Sequence, residues 1–242
     1  CLGPSTFAIV ESEDLKNKIS TQFNKSKDRI LVFPNTTSPY LTNQNDNDLE
    51  TTFKKLNIAE NFLFYPAQFW EHKNHIRIIL AIKKLKEKGV NFNAVFCGAD
   101  KGNKNFIKNK IKEYNLEENI KILGFVNFTE LHALYSKCKA VVMPTYFGPT
   151  NIPPLDAWYY KKPLIYSNHL KNQAKDAALY FDPESTDQLS ECIQKIEDKN
   201  ICDELINNGN LRLEEINRQR INGTNQLCAS LKQFEKIKET WS

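Results

Sequence analysis

The segment from Gly148 to Asp156 contains residue types that could bind an anion. It follows an apolar run, Ala140 to Met143, that indicates a buried strand. Prolines at 153 and 154 suit the first turn of a helix, and Asn151 precedes them as a favourable N-cap residue. A helix that starts at the carboxyl end of a strand directs unpaired N–H groups toward a ligand crevice. The segment therefore predicts an anion-binding loop, with an ordinary strand-to-helix connection as the alternative.

Three further groups of unusual loop residues follow apolar runs in the same way. They are the segment Gln68 to Lys73, Gly98 and Gly124. Because the carboxyl ends of parallel strands lie along one edge of a sheet, we expect these groups to lie near the first. Glycine lets the backbone approach a ligand closely, and Lys73 supplies a flexible positive charge for phosphate. The four groups together favour a nucleotide or another phosphorylated ligand.

The elements that must position these residues form a regular alternation from Asn61 onward. The predicted strands cover 62–65, 92–97, 120–123, 140–143 and 164–166, and the predicted helices cover 75–87, 103–114, 128–136 and 153–161, before a helical tail from 185 to 238. Strands that alternate with helices are typical of a parallel sheet with crossover helices. The predicted fold class is α/β, a Rossmann-like parallel sheet with flanking helices and a helical C-terminal tail.

The N-terminal part of the chain predicts a strand over 6–11, a helix over 13–23 that is capped by Ser12, and a second strand over 29–33. A polar stretch follows up to position 48 and is interpreted as a linker or long loop. Asp46 and Asp48 within it have the D-x-D spacing that can hold a divalent metal ion. No apolar strand precedes them, which favours a solvated linker.

Composition limits the classes of function. The 242 residues are 40% hydrophobic and 26% charged, as in a soluble globular protein. The net charge of +4, from 33 basic and 29 acidic residues, is compatible with anionic ligands and too small to argue for nucleic acid. No apolar run approaches the ~18 residues of a membrane span, and we expect a cytoplasmic protein. The six cysteines form no C-x-x-C pair, which favours reduced structural thiols.

A series of motifs gives the chain a resemblance to a known family. The segments YPAQFWEHKNH, FCGAD, ILGFVNFTELHALYSKCKAVVMPTYFGPTNIPPLDAW, KPLIYSN and DAALYFDP resemble, in order and spacing, the group 1 glycosyltransferases. These are retaining enzymes of the GT-B fold that use nucleotide-activated sugars. The resemblance covers about residues 6–215 and is densest over 62–183.

The resemblance implies a division of the chain, which has no initiator Met and is expected to be a piece of something longer. Residues 1–28 are expected to be a remnant of the N-terminal acceptor domain, and 29–60 a linker and entry to the second domain. Residues 61–200 are expected to form the nucleotide-sugar-binding Rossmann-like domain, the C-terminal half of a GT-B fold. Residues 201–242 are expected to form C-terminal helices.

The resemblance also carries over roles in diphosphate and base binding. The diphosphate-binding Arg and Lys of the family fall on Gln68 and Lys73, so the lysine is kept and the arginine is lost. Glutamine can still donate a hydrogen bond, but it has neither the charge nor the bidentate fork of arginine. The nucleobase is expected at the backbone of Gly124, Phe125 and Val126.

The two family glutamates, eight positions apart, fall on Gly148 and Asp156. The first is expected to hold the donor sugar and the second the ribose, and Asp156 is one methylene shorter than glutamate. A surface aspartate near a helix N-terminus is the alternative for Asp156. With glycine at 148, the sugar and β-phosphate are expected to contact Thr150, Asn151 and backbone N–H groups up to Ile152. Lys161, Asn172 and Lys175 also depart from the family pattern.

The implied reaction is retaining transfer of a sugar from a nucleoside diphosphate to an acceptor hydroxyl, in surface polysaccharide or glycan synthesis. Lys73 and Asp156 are the expected catalytic residues, with no cofactor and no metal. The expected partners are the nucleotide sugar and a glycan or lipid-linked acceptor held by the N-terminal domain, with no nucleic acid. The full-length protein is expected at the inner face of the membrane, and the fragment is expected to be an inactive hexosyltransferase.

Two alternatives remain open from the sequence. Gln68, Gly148 and Lys161 would also fit a diverged, non-catalytic nucleotide-sugar-binding or interaction module. A non-hydrolysing sugar-nucleotide epimerase fits the broad fold but not the motif series. The four histidines, at 72, 75, 132 and 169, are interpreted as helix or loop-surface residues, and none is assigned as a base.

Overall fold

The structure is a computed structural model that describes residues 7–44, 46, 48–148 and 150–241. The strands are β1 Ala8–Val10, β2 Ile30–Val32, β3 Leu63–Pro66, β4 Ala94–Cys97, β5 Ile120–Gly124, β6 Ala140–Met143, β7 Leu164–Ser167 and β8 Leu179–Phe181. The helices are α1 Glu13–Gln22, α2 Pro39–Thr42, α3 Leu49–Leu56, α4 His75–Glu87, α5 Lys104–Glu113, α6 Phe128–Lys137, α7 Pro153–Tyr159, α8 Lys171–Ala174, α9 Thr186–Lys195 and α10 Lys199–Trp241. Residues Cys1, Thr6, Asn47 and Pro149, which belong to predicted features, lie outside the described residues.

The chain forms two compact units, and the division between them falls within α10. One unit consists of the described residues within 1–36 and 213–242, and the other consists of those within 37–212. The four predicted segments, with limits at 28, 60 and 200, stay a prediction.

The smaller unit contains β1 and β2, which pair in parallel. Ser12 caps α1 as predicted, because its side chain accepts a hydrogen bond from the N–H of Leu15. Leu15 and Ile19, on one face of α1, pack on a small core that includes Val10 and Ile30. Gly223 of α10 is needed in this unit, since a Cβ there would overlap the carbonyl of Val32.

The larger unit is built on a six-stranded parallel sheet in the order β5-β4-β3-β6-β7-β8. Strands β3, β4, β6 and β7 are almost continuous runs of buried apolar residues, as expected for strands that helices cover on both faces. The predicted α/β class and parallel sheet are therefore confirmed. The order reverses direction between β3 and β6, and the carboxyl ends of these two strands flank the crevice where open α/β sheets bind ligands.

Several elements differ from the sequence prediction. The polar stretch after β2 contains a helical turn, α2, which starts at Pro39. A further helix, α3, was not predicted, although Leu49, Phe53 and Leu56 have helical spacing and Phe53 is buried against the ring of Phe62. The segment around Leu179 adds β8 to the sheet edge, and the predicted helical tail is divided into α9 and α10.

Candidate functional site

The candidate site lies where two loops leave the sheet on either side of the crevice. The β3–α4 loop comprises residues 67–74, and the described part of the β6–α7 loop comprises 144–148 and 150–152. Their backbones are joined, because the N–H of Tyr146 donates to the carbonyl of His72 at 2.9 Å. The two groups of candidate residues on these loops are thus brought together, as expected from the parallel topology.

Asn74 anchors the β3–α4 loop. It adopts the left-handed conformation, with φ of 54°, which asparagine tolerates better than most residues. Its buried amide donates to the carbonyls of Pro144 and Pro183 at 3.1 and 3.0 Å. The hydroxyl of Tyr65 donates to the carbonyl of Lys73 at 2.8 Å. The backbone around Lys73 is therefore held by side chains, which leaves the Lys73 side chain to other contacts.

The Lys73 side chain is half-buried at the crevice. Among the described residues, no hydrogen bond and no ion pair involves its ammonium group, and burial lowers the pKa of this group from its ordinary value. A cation in a partly desolvated position without a counter-charge favours the approach of an anion. Lys73 thus has the charge and the exposure that binding a phosphate requires.

Gln68 lies on the same loop and is exposed. Its side-chain carbonyl accepts a hydrogen bond from the indole N–H of Trp70 at 3.0 Å. The ammonium of Lys101 lies 5.7 Å from the centre of the Trp70 ring. Gln68 must therefore give up or share the contact with Trp70 to bind a ligand through the same oxygen.

The two glycines that follow β4 and β5 serve different purposes. Gly98 has φ of 152°, and a Cβ there would overlap the carbonyl of Ala67 and lie 2.8 Å from the Cα of Gln68. The space beside Gly98 is thus filled by the β3–α4 loop, so this glycine permits the approach of two protein segments. Gly124 has φ of 78°, and a Cβ there would lie 3.4 Å from the ammonium of Lys104.

The residues after Gly124 differ in exposure. The side chain of Phe125 is 84% exposed, whereas Val126 is partly buried. Lys104, which opens α5, also lies 5.9 Å from the centre of the Phe69 ring. Sequence reasoning did not single out Lys104. It could have done so, because Lys104 lies in the first turn of a predicted helix, where a positive charge is unfavourable and no acidic residue offsets it.

Asn151 turns inward in the β6–α7 loop. Its side-chain amide donates to the carbonyl of Gly148 at 2.9 Å and to the hydroxyl of Tyr166 at 2.6 Å. Its backbone N–H donates to the side chain of Gln173. Helix α7 begins at Pro153 as predicted, but Ile152 occupies the N-cap position and no side chain caps it. The expectation that Asn151 caps the helix is wrong, because Ile152 is the N-cap residue and Pro153 and Pro154, whose N–H groups Asn151 would cap, have none.

Asp156 lies in the first turn of α7 and is only 4% exposed. One carboxylate oxygen accepts from the N–H of Ser38 at 3.1 Å, and the other faces the hydroxyl of Tyr135 at 3.5 Å. Burial raises the pKa of Asp156 to about 6, and these two hydrogen bonds offset only part of the rise. The alternative of a surface aspartate is wrong, because Ser38 and Tyr135 cover the carboxylate.

Two of the four histidines are buried, which corrects their interpretation as surface residues. His75 is packed against the rings of Tyr65, Phe69 and Phe96, and neither ring nitrogen has a hydrogen-bond partner among the described residues. Burial lowers the pKa of His75 to about 3, so its ring is neutral.

The other buried histidine, His132, lies on α6. Its ring nitrogens contact the hydroxyl of Tyr160 at 2.7 Å and the carboxylate of Asp46 at 3.1 Å. Asp46, one of the two D-x-D carboxylates, therefore has a histidine partner. Within the described part of the chain, no group of three or more His, Cys, Asp or Glu side chains is arranged to hold a metal ion.

Comparison with known proteins identifies the family. The profile described as "Glycosyl transferases group 1" matches residues 48–212, more than half of the chain. The chain belongs to the group 1 glycosyltransferases. The O-antigen chain mannosyltransferase RfbU of Salmonella typhimurium is 26% identical over 191 residues, which are 78% of this chain and 50% of that protein. The chain therefore spans half the length of this curated relative.

Solved structures of glycosyltransferases share the fold of this group 1 chain. A glycosyltransferase from Rickettsia africae superposes with a TM-score of 0.78 at 16% identity and covers 96% of this chain and 63% of its own. Anabaena HepE, solved in complex with UDP, superposes with a TM-score of 0.77 at 16% identity and covers 95% and 64%. These likenesses confirm the fold class, a GT-B glycosyltransferase sheet with a long C-terminal helix. None of the helices in the described residues is long and apolar enough to cross a membrane.

Proposed function

We propose that this chain contains the donor-binding domain of an enzyme that transfers a sugar from a nucleoside diphosphate to an acceptor hydroxyl, with retention at the anomeric carbon. The observation that carries the proposal is the Lys73 ammonium, which is half-buried beside the crevice and has no partner among the described residues. A diphosphate would supply the counter-charge that Lys73 lacks.

The proposed chemistry is stabilisation of charge on the leaving diphosphate. As the bond to the sugar breaks, negative charge grows on the diphosphate oxygens, and a fixed cation stabilises it more strongly than it stabilises the bound substrate. A hydrogen bond to a charged group contributes about 1.5–3 kcal/mol net. The proposal assigns this work to Lys73 and to the backbone N–H of Ile152, without a metal or cofactor. The N–H of Asn151 is already bonded to Gln173, and Pro153 has no N–H.

The other predicted contacts stay predictions. Gly124, Phe125 and Val126 are proposed to meet the nucleobase through their backbone. Asp156 can hold the ribose only through carboxylate lone pairs that Ser38 and Tyr135 leave open.

The finer identity of the reaction is supported by the relatives. One of them is named as an O-antigen chain mannosyltransferase, and HepE structures contain UDP and UDP-glucose. We therefore infer a hexosyl donor and a role in surface polysaccharide synthesis at the cytoplasmic face of the membrane. Because the chain spans half of the curated relative, we expect the acceptor site to require further sequence and the 242 residues alone to be inactive in transfer.

The test is calorimetric titration of the protein with UDP and GDP. Lys73→Ala should weaken the binding of the diphosphate that the wild type prefers at least tenfold, which corresponds to about 1.4 kcal/mol. Lys83→Ala is the matched control. Lys83 lies on α4 with its ammonium over the ring of Tyr114, so this substitution should change the affinity less than twofold. Equal affinities for wild type and Lys73→Ala, or no binding of either diphosphate by the wild type, would contradict the proposal.

A diverged binding module is the second candidate. It is favoured by Gln68, which stands where the family has arginine and is bonded to Trp70. Such a module would bind the diphosphate through Lys73 but would not turn over sugar nucleotides. Release of diphosphate from UDP-glucose or GDP-mannose by the full-length protein, in the presence of acceptor, would eliminate this candidate.

A further inference from the structure

Gln173 of α8 makes an unusual pair of contacts with the backbone of Asn151. Its side-chain oxygen accepts from the N–H of Asn151 at 3.0 Å, and its side-chain nitrogen donates to the carbonyl of Asn151 at 2.6 Å. These two bonds satisfy both backbone groups of Asn151, as a neighbouring strand would in a sheet. The β6–α7 loop is therefore bonded to a side chain that lies 22 residues further along the chain.

Tyr166 at the end of β7 completes the network. Its hydroxyl donates to the side-chain oxygen of Gln173 at 2.8 Å and accepts from the amide of Asn151 at 2.6 Å. Tyr166 is fully buried and Asn151 is 8% exposed. Polar networks in such surroundings fix one arrangement when their members are satisfied, because any rearrangement leaves buried groups unpaired.

The network also explains the glycine at position 148. The amide of Asn151 donates to the Gly148 carbonyl, and a Cβ on Gly148 would lie 2.8 Å from the side-chain oxygen of Asn151. Gly148 has φ of 124°, which is strained for other residues. A side chain at 148 is thus incompatible with the position in which Gln173 and Tyr166 hold Asn151.

The far side of Gln173 is held as well. Its backbone carbonyl accepts from the guanidinium Nε of Arg212 at 2.8 Å. Gln173 is therefore tied to α10 through its backbone and to the β6–α7 loop through its side chain. Because its backbone is fixed, the Gln173 side chain can hold the β6–α7 loop in one position.

We propose that Gln173 is a positioning residue for the donor sugar: with Tyr166, it fixes Asn151 and thereby the positions of Gly148 and Ile152 at the crevice. The inference rests on the proposed function. It assigns Asn151 a structural role, since its backbone groups and amide protons are used within the network. The sugar would then be recognised by the residues next to Asn151, whose positions depend on these hydrogen bonds.

The test separates the frame from ligand binding. The first measurement is amide hydrogen exchange of residues 148–152 without ligand. The second is calorimetric affinity for two pairs of probes, UDP with UDP-glucose and GDP with GDP-mannose. Gln173→Ala removes both bonds to Asn151, and Gln173→Glu retains the acceptor oxygen but not the donor. Gln188→Ala is the matched control, because Gln188 also accepts a backbone N–H, that of Asp182 at 2.8 Å.

We expect Gln173→Ala to raise the rate of amide hydrogen exchange at Asn151 at least tenfold. We also expect it to weaken the affinity for the preferred sugar nucleotide at least fivefold more than the affinity for the corresponding diphosphate. Gln173→Glu should show both effects to a smaller extent than Gln173→Ala. Tyr166→Phe should also weaken the binding of the sugar nucleotide, but by less than Gln173→Ala does. Gln188→Ala should leave both affinities unchanged. The sugar-specific loss is the effect that general destabilisation would not produce.

The failures are distinguishable. If the wild type binds a sugar nucleotide and Gln173→Ala and Tyr166→Phe bind it equally well, the role of Gln173 is wrong and the proposed function stands. Equal loss of sugar nucleotide and diphosphate in Gln173→Ala also contradicts the role. If the wild type binds none of the four probes, the proposed function fails and the role of Gln173 fails with it.

Discussion

The two loops that flank the crevice use their polar groups in opposite ways. In the β3–α4 loop, the Tyr65 hydroxyl donates to the carbonyl of Lys73, and the Asn74 amide anchors the loop to the carbonyls of Pro144 and Pro183. The charged group of Lys73 is left without a partner among the described residues. In the β6–α7 loop, Asn151 is bonded to Gly148, Tyr166 and Gln173. The first loop presents a charge on a fixed backbone, whereas the second presents a fixed shape.

This difference suggests a division of labour at the edge of the sheet. A charge that must meet a diphosphate is most useful when nothing neutralises it beforehand. A surface that must discriminate between sugars is most useful when its shape does not relax around the wrong one, because pre-ordered groups lose less entropy on binding. We therefore propose that the first loop supplies the cation for phosphate binding and that the second loop selects the sugar.

The largest effect is expected where the β3–α4 loop rests on β4. Gly98→Ala would place a Cβ against the backbone of Ala67 and Gln68. We expect this substitution to lower the free energy of unfolding by about 3 kcal/mol or more, because it adds overpacking and backbone strain. Urea unfolding measures this. Gly89→Ala is the control: its φ is 77° but a Cβ would meet nothing within 4 Å, so about 1 kcal/mol is expected. Equal losses would show that Gly98 does not support the loop.

The next effect concerns the buried carboxylate behind the β6–α7 loop. The pKa of Asp156 is raised to about 6, whereas in the unfolded chain it is about 3.9. The native state thus binds this proton more tightly, so the contribution of Asp156 to stability falls as the pH rises from about 4 to about 6. The difference of about two pKa units corresponds to about 3 kcal/mol. Burial raises the pKa of the neighbouring Tyr135 and Tyr160 hydroxyls, which stay neutral in this range.

Asp156→Asn tests this expectation, because the amide keeps an acceptor oxygen for the N–H of Ser38. Urea unfolding midpoints at pH 7.5 and pH 4.5 should show that the variant is more stable than the wild type at the higher pH, with a smaller difference at the lower pH. If the difference in stability between the variant and the wild type does not change with pH, the pKa of Asp156 is the same in the folded and unfolded chains. The carboxylate would then be more accessible to a ribose than its burial indicates.

The smallest effect lies at the end of α7. Lys161 has φ of 53° and closes the helix, with its N–H bonded to the carbonyl of Trp158 and that of Lys162 bonded to Ala157. Glycine is preferred at this position because it has no Cβ penalty in the left-handed conformation. Lys161→Gly should stabilise the protein by about 1 kcal/mol, or about 2–4 °C in Tm.

Lys162→Gly is the control for this substitution. Lys162 is absent from the residues with positive φ, so glycine there adds flexibility to the unfolded chain without relieving strain and should lower the Tm. In the β3–α4 loop the left-handed position is occupied by Asn74, which tolerates it. A Tm that does not rise in Lys161→Gly would show that the end of α7 stores no strain.

The sequence by itself determined the parallel sheet, because buried apolar strands such as Ala140–Met143 alternate with amphipathic helices such as α4, whose predicted limits agree with the structure. It also placed Lys73 and Gly148 at one edge, since parallel strands end on the same side. These features depend on local periodicity and chain order. The α3 helix was missed because its short apolar pattern lies in a polar stretch.

Only the tertiary structure decided which candidate groups are available. The commitment of Asn151 depends on Gln173 and Tyr166, and the burial of Asp156 depends on Ser38, which lies 118 positions earlier. The absence of a Cβ at Gly98 makes room for the carbonyl of Ala67. Hydrogen-bond partners and desolvation are set by residues distant in the chain, so one sequence reveals which residues reach the edge of the sheet but not which of their polar groups remain unpaired.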